Sequence, residues 1–346
     1  MRVFFEKFNQ RSCRLWAIVA AVVLALIIFW VGLSQVSALR KRAQSTPAPI
    51  VSTSQTRRRV VVIVHGTSTS KFWPKVKLGA EQAAKDYGME VEFIRLAKSS
   101  DFVEMSSLIE QAIASKPDGM AISVPDKKAL EPAIHKIVEA KIPFIIINAG
   151  QHDARELGAL TYIGQLDYAA GRQAGLRMAE LGVRRAFCIS HDPKNVAVRD
   201  RCEGFKESLL LAGGQAQILV VDRNQPDEMK TRIKDLLTLF PETDGLLTTA
   251  DMPFVLEALE ELGKAGQIKL GGFDFSPETL KSIMDGKVLF AIDQQPYLQG
   301  YLPITFFNLL FANANTISQD EVATGPNFIT AENAALVESL SAAGTR

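Results

Sequence analysis

From Val60 onward, short apolar segments alternate with longer segments of helical periodicity, and this alternation restricts the folds open to the chain. The predicted strands are residues 60–65, 89–95, 118–123, 143–147, 185–190, 217–222, 244–249, 268–273 and 288–293. Between the first two, Val76, Ala80, Ala83 and Tyr87 recur at steps of three and four residues, as on one face of a helix. Strands that alternate with helices predict parallel sheets covered by helices on both faces.

These units are too many for one compact sheet, because residues 60–346 exceed the usual size of a single domain. We therefore predict an α/β fold with two doubly wound parallel-sheet lobes. Loops that bind ligands lie at the carboxyl ends of strands in such lobes. Two lobes that face each other would form a cleft, which is a common place for a small-molecule site.

The amino-terminal region has a different composition. Residues 15–33 contain no charged side chain, and at about 1.5 Å per residue this length crosses a bilayer core. We predict a cytoplasmic tip and one transmembrane signal anchor in residues 1–40, then a flexible linker in residues 41–59, which are mostly small and polar at first. The alternative is a signal peptide cleaved after Ala38, although its apolar core would be unusually long. Either route exports the lobes, and the anchor gives a single-pass inner-membrane protein with its binding domain in the periplasm or on the extracellular side.

Composition and motifs disfavour several functions. A formal net charge of +1 gives no support for nucleic-acid binding, and three cysteines are too few for a disulfide scaffold. His65-Gly66 after a strand suggests an α/β hydrolase, but the chain has no G-x-S-x-G nucleophile elbow. No two histidines or cysteines have the spacing of metal ligands, and no phosphate-binding glycine motif is present. We therefore predict no catalytic residues, no metal and no cofactor.

Several motifs together resemble a known family. They are "IPFIIINAG" (142–150), "YIGQLDYAAGRQAG" (162–175), "VRDRCEGF" (198–205), "GGFDFSPETL" (271–280) and "GKVLFAIDQQPYLQGY" (286–301). Their order and spacing resemble periplasmic sugar-binding proteins of the ribose-binding type, over about residues 60–335. This resemblance implies the type I periplasmic-binding-protein fold, which lactose-repressor-type ligand-binding domains share.

The resemblance also implies how the chain is divided. One lobe would consist of residues 60–164 with 295–320, and the other of residues 165–294 with 321–335. Crossovers near Gly164, Gln294 and Glu321 would form a hinge. A ligand that contacts both lobes would then favour the closed arrangement.

The same resemblance implies an aromatic part of the ligand site. In the family, the first loop presents aromatic rings that pack on a sugar, and Phe72 and Trp73 match that position. Ser70 matches a polar contact in the same loop. The C–H groups of a sugar face pack on an aromatic ring while its hydroxyls reach polar groups at the side. The alternative is that Phe72 and Trp73 only attach the following helix to the sheet.

The polar part of the implied site comes from later motifs. Asn148 stands where the family often has an aspartate that accepts sugar hydroxyls, and Arg199 matches the helix arginine that donates to them. Asp274 matches the carboxylate of the G-F-D strand end, and Gln294 matches the crossover glutamine. In the alternative interpretation, Asp274 caps the helix entered at Ser276. Arg201 is expected to be a structural partner.

Two departures from the family pattern make ribose itself a doubtful ligand. Ala149 replaces an arginine of ribose binders, and Ala250 replaces an asparagine of many members. Asp126 and Asp251 are expected to cap helices. The implied function is capture of a sugar or polyol for an inner-membrane permease. The alternative is a ligand sensor that signals to a membrane kinase or chemoreceptor.

A disulfide is predicted between Cys188 and Cys202. Cys188 lies two residues before the end of a strand, and Cys202 lies on the helix that returns alongside it, so the two reach similar depth. Export would place them in an oxidising compartment. The alternative is a pair of buried, reduced cysteines.

Overall fold

The computed structural model describes residues 57–67, 70–98 and 100–341, which form two lobes. Within these ranges, no helix has both the length and the hydropathy needed to cross a bilayer. The predicted transmembrane segment, residues 15–33, and nearly all of the linker lie outside the described residues.

The first lobe contains a six-stranded parallel sheet with the strand order β11-β5-β4-β3-β1-β2. Its strands are β1 (Arg59–Val64), β2 (Glu90–Arg95), β3 (Gly119–Ile122), β4 (Phe144–Ile147), β5 (Tyr162–Gln165) and β11 (Glu321–Gly325). Its helices are α1 (Trp73–Tyr87), α2 (Phe102–Ala114), α3 (Lys127–Glu139) and α9 (Pro296–Asn313), and a 3-10 turn covers Gln151–Asp153. Apolar side chains of β1 pack on both faces of the sheet, which is typical of a central parallel strand.

The second lobe repeats this arrangement with the order β12-β10-β9-β8-β6-β7, in which only β12 is antiparallel to its neighbour. Its strands are β6 (Arg185–Ser190), β7 (Gln215–Val220), β8 (Gly245–Thr248), β9 (Lys269–Phe273), β10 (Phe290–Asp293) and β12 (Asn327–Ile329). Its helices are α4 (Asp167–Glu180), α5 (Val196–Leu211), α6 (Pro226–Leu239), α7 (Met252–Glu261), α8 (Pro277–Met284) and α10 (Ala334–Ser341).

Helix caps explain where several of these elements begin. The Asp126 carboxylate accepts a hydrogen bond from the Ala129 backbone N–H at 3.1 Å and so caps α3, as expected. Ser276 caps α8 through the Thr279 N–H, so Asp274 does not take the capping role that was its alternative. The expected cap by Asp251 is wrong, because its carboxylate instead binds Arg223 Nη2 at 3.0 Å.

The chain crosses between the lobes three times. It crosses after β5, at Gln294–Gln295 after β10, and at Gly325–Pro326 between β11 and β12. The third crossover differs from the prediction near Glu321. Residues 321–325 pair with β5 and therefore belong to the first lobe, where a sixth strand satisfies the exposed edge of β5.

Candidate functional site

The carboxyl edges of the two sheets face each other, and several contacts join them. The Val196 backbone N–H donates to the Pro125 carbonyl oxygen at 2.9 Å. Ser100 Oγ donates to Asp192 Oδ2 at 2.6 Å. The Lys75 ammonium lies 4.7 Å from the centre of the Phe275 ring in the opposite lobe. The two lobes are therefore in direct contact at these edges.

A chain of hydrogen bonds, which we call the central polar cluster, runs through the crossovers. Asn148, just after β4, donates through Nδ2 to Gln299 Oε1 at 3.0 Å, and Gln299 Nε2 donates to the Gln294 carbonyl oxygen at 3.0 Å. Gln294 Nε2 donates to Asp274 Oδ1 at 2.7 Å. The predicted residues Asn148, Asp274 and Gln294 are thus brought together, because each follows a strand at the carboxyl edge of its own sheet and the two edges face each other.

The arginine of this cluster is Arg201, which is 4% exposed. Its Nη2 donates to Gln294 Oε1 at 2.8 Å, and its Nε donates to Asp167 Oδ1 at 2.8 Å. Its guanidinium lies 4.4 Å from the centre of the Phe273 ring. Planar donors that fork to two acceptors and stack on a ring are a use of arginine that lysine does not reproduce.

Arg199, by contrast, is exposed on α5, and its side chain is not part of the central polar cluster. Two residues on a helix are about 200° apart around its axis, so Arg199 and Arg201 cannot face the same way. The motif "VRDRCEGF" offers both arginines, and the sequence-based choice between them was the wrong one for the cluster. Arg201 is both a structural partner, as expected, and the arginine beside Gln294.

The two aromatic residues of the first loop have different surroundings. Trp73 is 5% exposed and packs edge-on against the His65 ring, with the ring centres 5.0 Å apart. A Cβ at Gly66 would lie 1.6 Å from the Trp73 ring, so this glycine leaves the space that the indole fills. Phe72 is only partly buried and perpendicular to Trp73, and the backbone N–H of Phe72 donates to Ser70 Oγ at 3.2 Å. Phe72 is therefore the more exposed of the two rings, and Trp73 belongs to the core behind it.

Two histidines occupy equivalent positions in the two lobes, and neither was predicted as a ligand-binding residue. His65 follows β1, and its Nδ1 lies 2.8 Å from Ser123 Oγ, which is 58 residues further on after β3. His191 follows β6, and its Nδ1 lies 2.8 Å from Thr249 Oγ1, again 58 residues further on after β8. The equal separation of 58 residues between each histidine and its hydroxyl partner is the sequence signal that could have identified this pair.

Burial disfavours the charged forms of both histidines and of Asp274. Burial lowers the pKa of His65 from 6.5 to about 3, and the positive charge of Arg201 adds to this effect. Burial likewise lowers the pKa of His191, helped by Arg223 and Arg201. Burial raises the pKa of Asp274, against the opposing effect of Arg201. Both imidazoles are therefore neutral near pH 7.

The two positions that depart from the family pattern are buried alanines. Ala149 is 1% exposed and Ala250 is 6% exposed, so neither contributes a side-chain hydrogen bond at the strand ends. Within the described ranges, no group of three or more histidine, cysteine, aspartate or glutamate side chains has the arrangement of a metal site. The groups that the edge does offer are amides, a carboxylate, a guanidinium and neutral imidazoles, which suit hydroxyl groups.

Cys188 on β6 and Cys202 on α5 form a disulfide, with 5.6 Å between their Cα atoms. The bond lies in the core of the second lobe, where both residues are fully buried. It ties the helix that carries Arg201 to the central strand beneath it.

Two α/β lobes of matching topology, with polar groups converging where their carboxyl edges meet, define a bilobed small-molecule binding protein. Residues 60–313 match the family model described as periplasmic binding protein domain, and the chain belongs to that family. This match confirms the resemblance that the motifs indicated. It also fits the prediction of a binding protein and not an enzyme.

Curated relatives are sugar-binding proteins. The chain is 27% identical over 293 residues to the xylose/arabinose-binding protein of Sulfolobus acidocaldarius, which covers 79% of this chain and 71% of that protein. It is 28% identical over 241 residues to the ribose import binding protein of Bacillus subtilis, which covers 68% of this chain and 76% of that protein.

A solved structure extends this similarity to the fold. The carbohydrate transporter of Acidothermus cellulolyticus, solved in complex with myo-inositol, has a TM-score of 0.78 and 31% sequence identity. The match covers 84% of this chain and 100% of the solved one. The chain therefore shares both the family and the overall fold of a solved carbohydrate transporter.

Proposed function

We propose that this protein captures a neutral sugar or polyol in the cleft between its lobes by hinge closure, and delivers it to an inner-membrane permease for ABC-type uptake. The observation that carries the proposal is the central polar cluster of Asn148, Asp274, Gln294 and Arg201 where the carboxyl edges meet, and the loop after β1 supplies the partly exposed Phe72 ring. A ring with several hydroxyls and one apolar face fits this set. Ser70, whose hydroxyl holds the backbone of Phe72, belongs to the same loop.

The ligand we propose is uncharged. The Arg201 guanidinium is already matched by Asp167, so it adds no unpaired cation for an anionic ligand. The three similar proteins described above are named for xylose and arabinose, for ribose and, in the solved structure, for a complex with myo-inositol. Buried alanines at 149 and 250 leave fewer side-chain donors, which favours a ligand other than ribose.

A thermal-shift screen tests the proposal on the full-length chain in detergent. The probes are myo-inositol, D-xylose, L-arabinose and D-ribose, with L-leucine and inorganic phosphate as controls. A ligand at 100 times its Kd adds about 2.7 kcal/mol to the free energy of unfolding. At least one sugar or polyol should raise the melting temperature, and the controls should not. A panel without any shift from sugars or polyols would contradict the proposal.

We also propose that residues 15–33 stay on the mature protein as its membrane anchor. The mass of the protein from the membrane fraction checks this, because cleavage after Ala38 would release a shorter, soluble form. Uptake assays after gene deletion separate transport from sensing. Loss of high-affinity uptake supports transport, while intact uptake with a lost transcriptional response would indicate the sensor alternative.

A further inference from the structure

A direct side-chain hydrogen bond between the lobes involves His65. Its Nε2 lies 3.0 Å from Asn195 Nδ2, at the start of α5 in the second lobe. The Asn195 amide has a fixed orientation, because its Oδ1 accepts from the Ala197 backbone N–H at 3.0 Å. The nitrogen of the amide therefore faces the ring, and that nitrogen only donates. His65 Nε2 must be the acceptor.

The other ring nitrogen holds the proton of the neutral imidazole. His65 Nδ1 lies 2.8 Å from Ser123 Oγ, so in the neutral ring it donates to that hydroxyl. Protonation of Nε2 would direct one N–H at another across the cleft. The contact between the lobes is therefore compatible only with an uncharged imidazole.

The groups around His65 come from several elements. From the second lobe, α5 contributes the Arg201 charge, and the loop after β6 contributes the neutral His191 ring. From the first lobe, the loop after β3 contributes Ser123 and α1 contributes Trp73, neither of which is charged. Lys75, also on α1, has its charge near Asp274 and Asp293. Opening the cleft removes α5, and with it both Asn195 and the nearest cation.

We propose that the His65–Asn195 contact is a latch of the closed state, and that closing the cleft therefore releases a proton and is opposed as the pH falls below neutrality. This inference rests on the proposed function only in taking cleft closure as the working motion.

The sign and size of the effect follow from linkage. In the closed state the pKa of His65 is lowered to about 3, and in the open state it returns towards 6.5. The closed state binds fewer protons than the open state. The free energy that His65 contributes to closure is therefore fully present above its open-state pKa, and it declines as the pH falls towards 3. From pH 7.5 to pH 5.5, one such histidine lowers the ratio of closed to open protein on the order of tenfold.

A second contact between the lobes also involves a histidine. His152 Nε2 lies 3.3 Å from Asp200 Oδ2. The His152 side chain is 60% exposed, so solvent screens this pair strongly, whereas the His65 contact is buried.

Spin-label distances across the cleft test the latch without any ligand. The sample is the full-length chain in detergent with Cys13→Ser and labels at Lys128→Cys and Lys194→Cys, two exposed positions on opposite lobes. Double electron–electron resonance should show a short-distance population whose ratio to the long-distance one falls about tenfold from pH 7.5 to pH 5.5. An equal ratio at both values, or no short-distance population, would overturn the proposal.

Variants of two histidines assign the effect. His65→Gln keeps an acceptor near Nε2 but does not titrate, so the tenfold fall in the distance ratio should disappear. His135→Gln, on the exposed surface of α3, should behave as the parent. A pH response in His65→Gln equal to that of the parent would contradict the latch.

Asn195→Asp provides a second test. It keeps the proposal testable if His65→Gln does not fold. The aspartate keeps the cap on α5 and places a carboxylate against Nε2, so protonation of His65 should now favour closure. The short-distance population should then increase as the pH falls, and an unchanged decline would overturn the proposal. Because no sugar is added, a failed ligand screen would leave this result intact, and the two proposals can fail separately.

Discussion

Arg199 and Arg201 lie two positions apart on α5 and form a matched pair for mutation. Arg201→Ala removes the partners of Asp167 and Gln294 and leaves the Asp167 carboxylate, which is 3% exposed, without its cation. We expect a loss of about 3–5 kcal/mol in the free energy of unfolding, measured by urea denaturation. Arg199→Ala should change it by less than about 0.5 kcal/mol, because that side chain is exposed. Equal losses in the two variants would contradict this assignment.

Asp274 is the carboxylate that we expect to accept ligand hydroxyls. Asp274→Asn keeps the size of the side chain and an oxygen for Gln294 Nε2, but it removes the charge. Hydrogen bonds to charged groups contribute about 1.5–3 kcal/mol, so the affinity for the sugar or polyol found in the screen should fall roughly 10- to 100-fold. Isothermal titration calorimetry measures this, and an unchanged Kd would remove Asp274 from the site.

His191 offers an acceptor to the cleft. Thr249 Oγ1 donates to the Ile189 carbonyl oxygen at 3.0 Å, so it accepts from His191 Nδ1, which must carry the proton. Nε2 is then an acceptor, and among the described residues no protein group donates to it. We expect His191→Phe to weaken binding of the same ligand about tenfold with little change in stability, in the same titration, since a lost hydrogen bond costs about 1 kcal/mol or somewhat more. Full affinity in this variant would show that the ring only packs.

At the scale of elements, the disulfide between β6 and α5 gives a prediction about stability. The bond closes a loop between residues 14 positions apart, which the chain-entropy model values at about 3 kcal/mol. The Cys188→Ala/Cys202→Ala variant should lose about this free energy of unfolding in urea denaturation. Mass analysis of unfolded, unreduced periplasmic protein after alkylation gives a direct check. Alkylation of both Cys188 and Cys202 in the wild type, in addition to Cys13, would show that the bond is absent.

The strand pattern shows which elements the sequence determines. The central strands are apolar runs because both of their faces are buried, as in Val60 to Val64, and nine strands were predicted correctly. β5, β11 and β12 were not predicted as strands. They are three to five residues long, and β11 is partly polar and its pairing with β5 depends on the tertiary fold.

The site could be predicted in part for the same reason. Asn148, Asp274 and Gln294 each follow a strand at the carboxyl edge of its sheet, where doubly wound sheets carry their ligand loops, and the carboxyl edges of the two lobes face each other. The choice of Arg201 over Arg199 depends on the rotation of α5 about its axis, which a short motif does not specify. Trp73 was placed with Phe72 because neighbouring aromatics look alike in sequence, whereas the space beside Gly66 decides which of them is buried.

At the scale of the whole molecule, the three crossovers lie close together and are joined by hydrogen bonds. Thr324 Oγ1 donates to the Gln294 carbonyl oxygen at 2.7 Å, and Gln295 Nε2 donates to the Thr324 carbonyl oxygen at 2.7 Å. The Leu166 N–H donates to the Gly325 carbonyl oxygen at 3.2 Å. Residues that set the position of each crossover therefore set the angle at which the lobes close.

Gly325 is the point where this arrangement is most sensitive to added volume. A Cβ there would lie 3.0 Å from the Asp293 carbonyl oxygen and 3.2 Å from Gln165 Oε1, which belong to the other two crossovers. Gly325→Val should therefore separate the crossovers and reduce the closed population, seen at pH 7.5 as a longer distance between labels at Lys128→Cys and Lys194→Cys. Ala323→Val, at an exposed position on the same strand, is the matched control and should leave the distance unchanged. Equal distances in both variants would show that the crossovers tolerate the added side chain and that closure does not depend on their close approach.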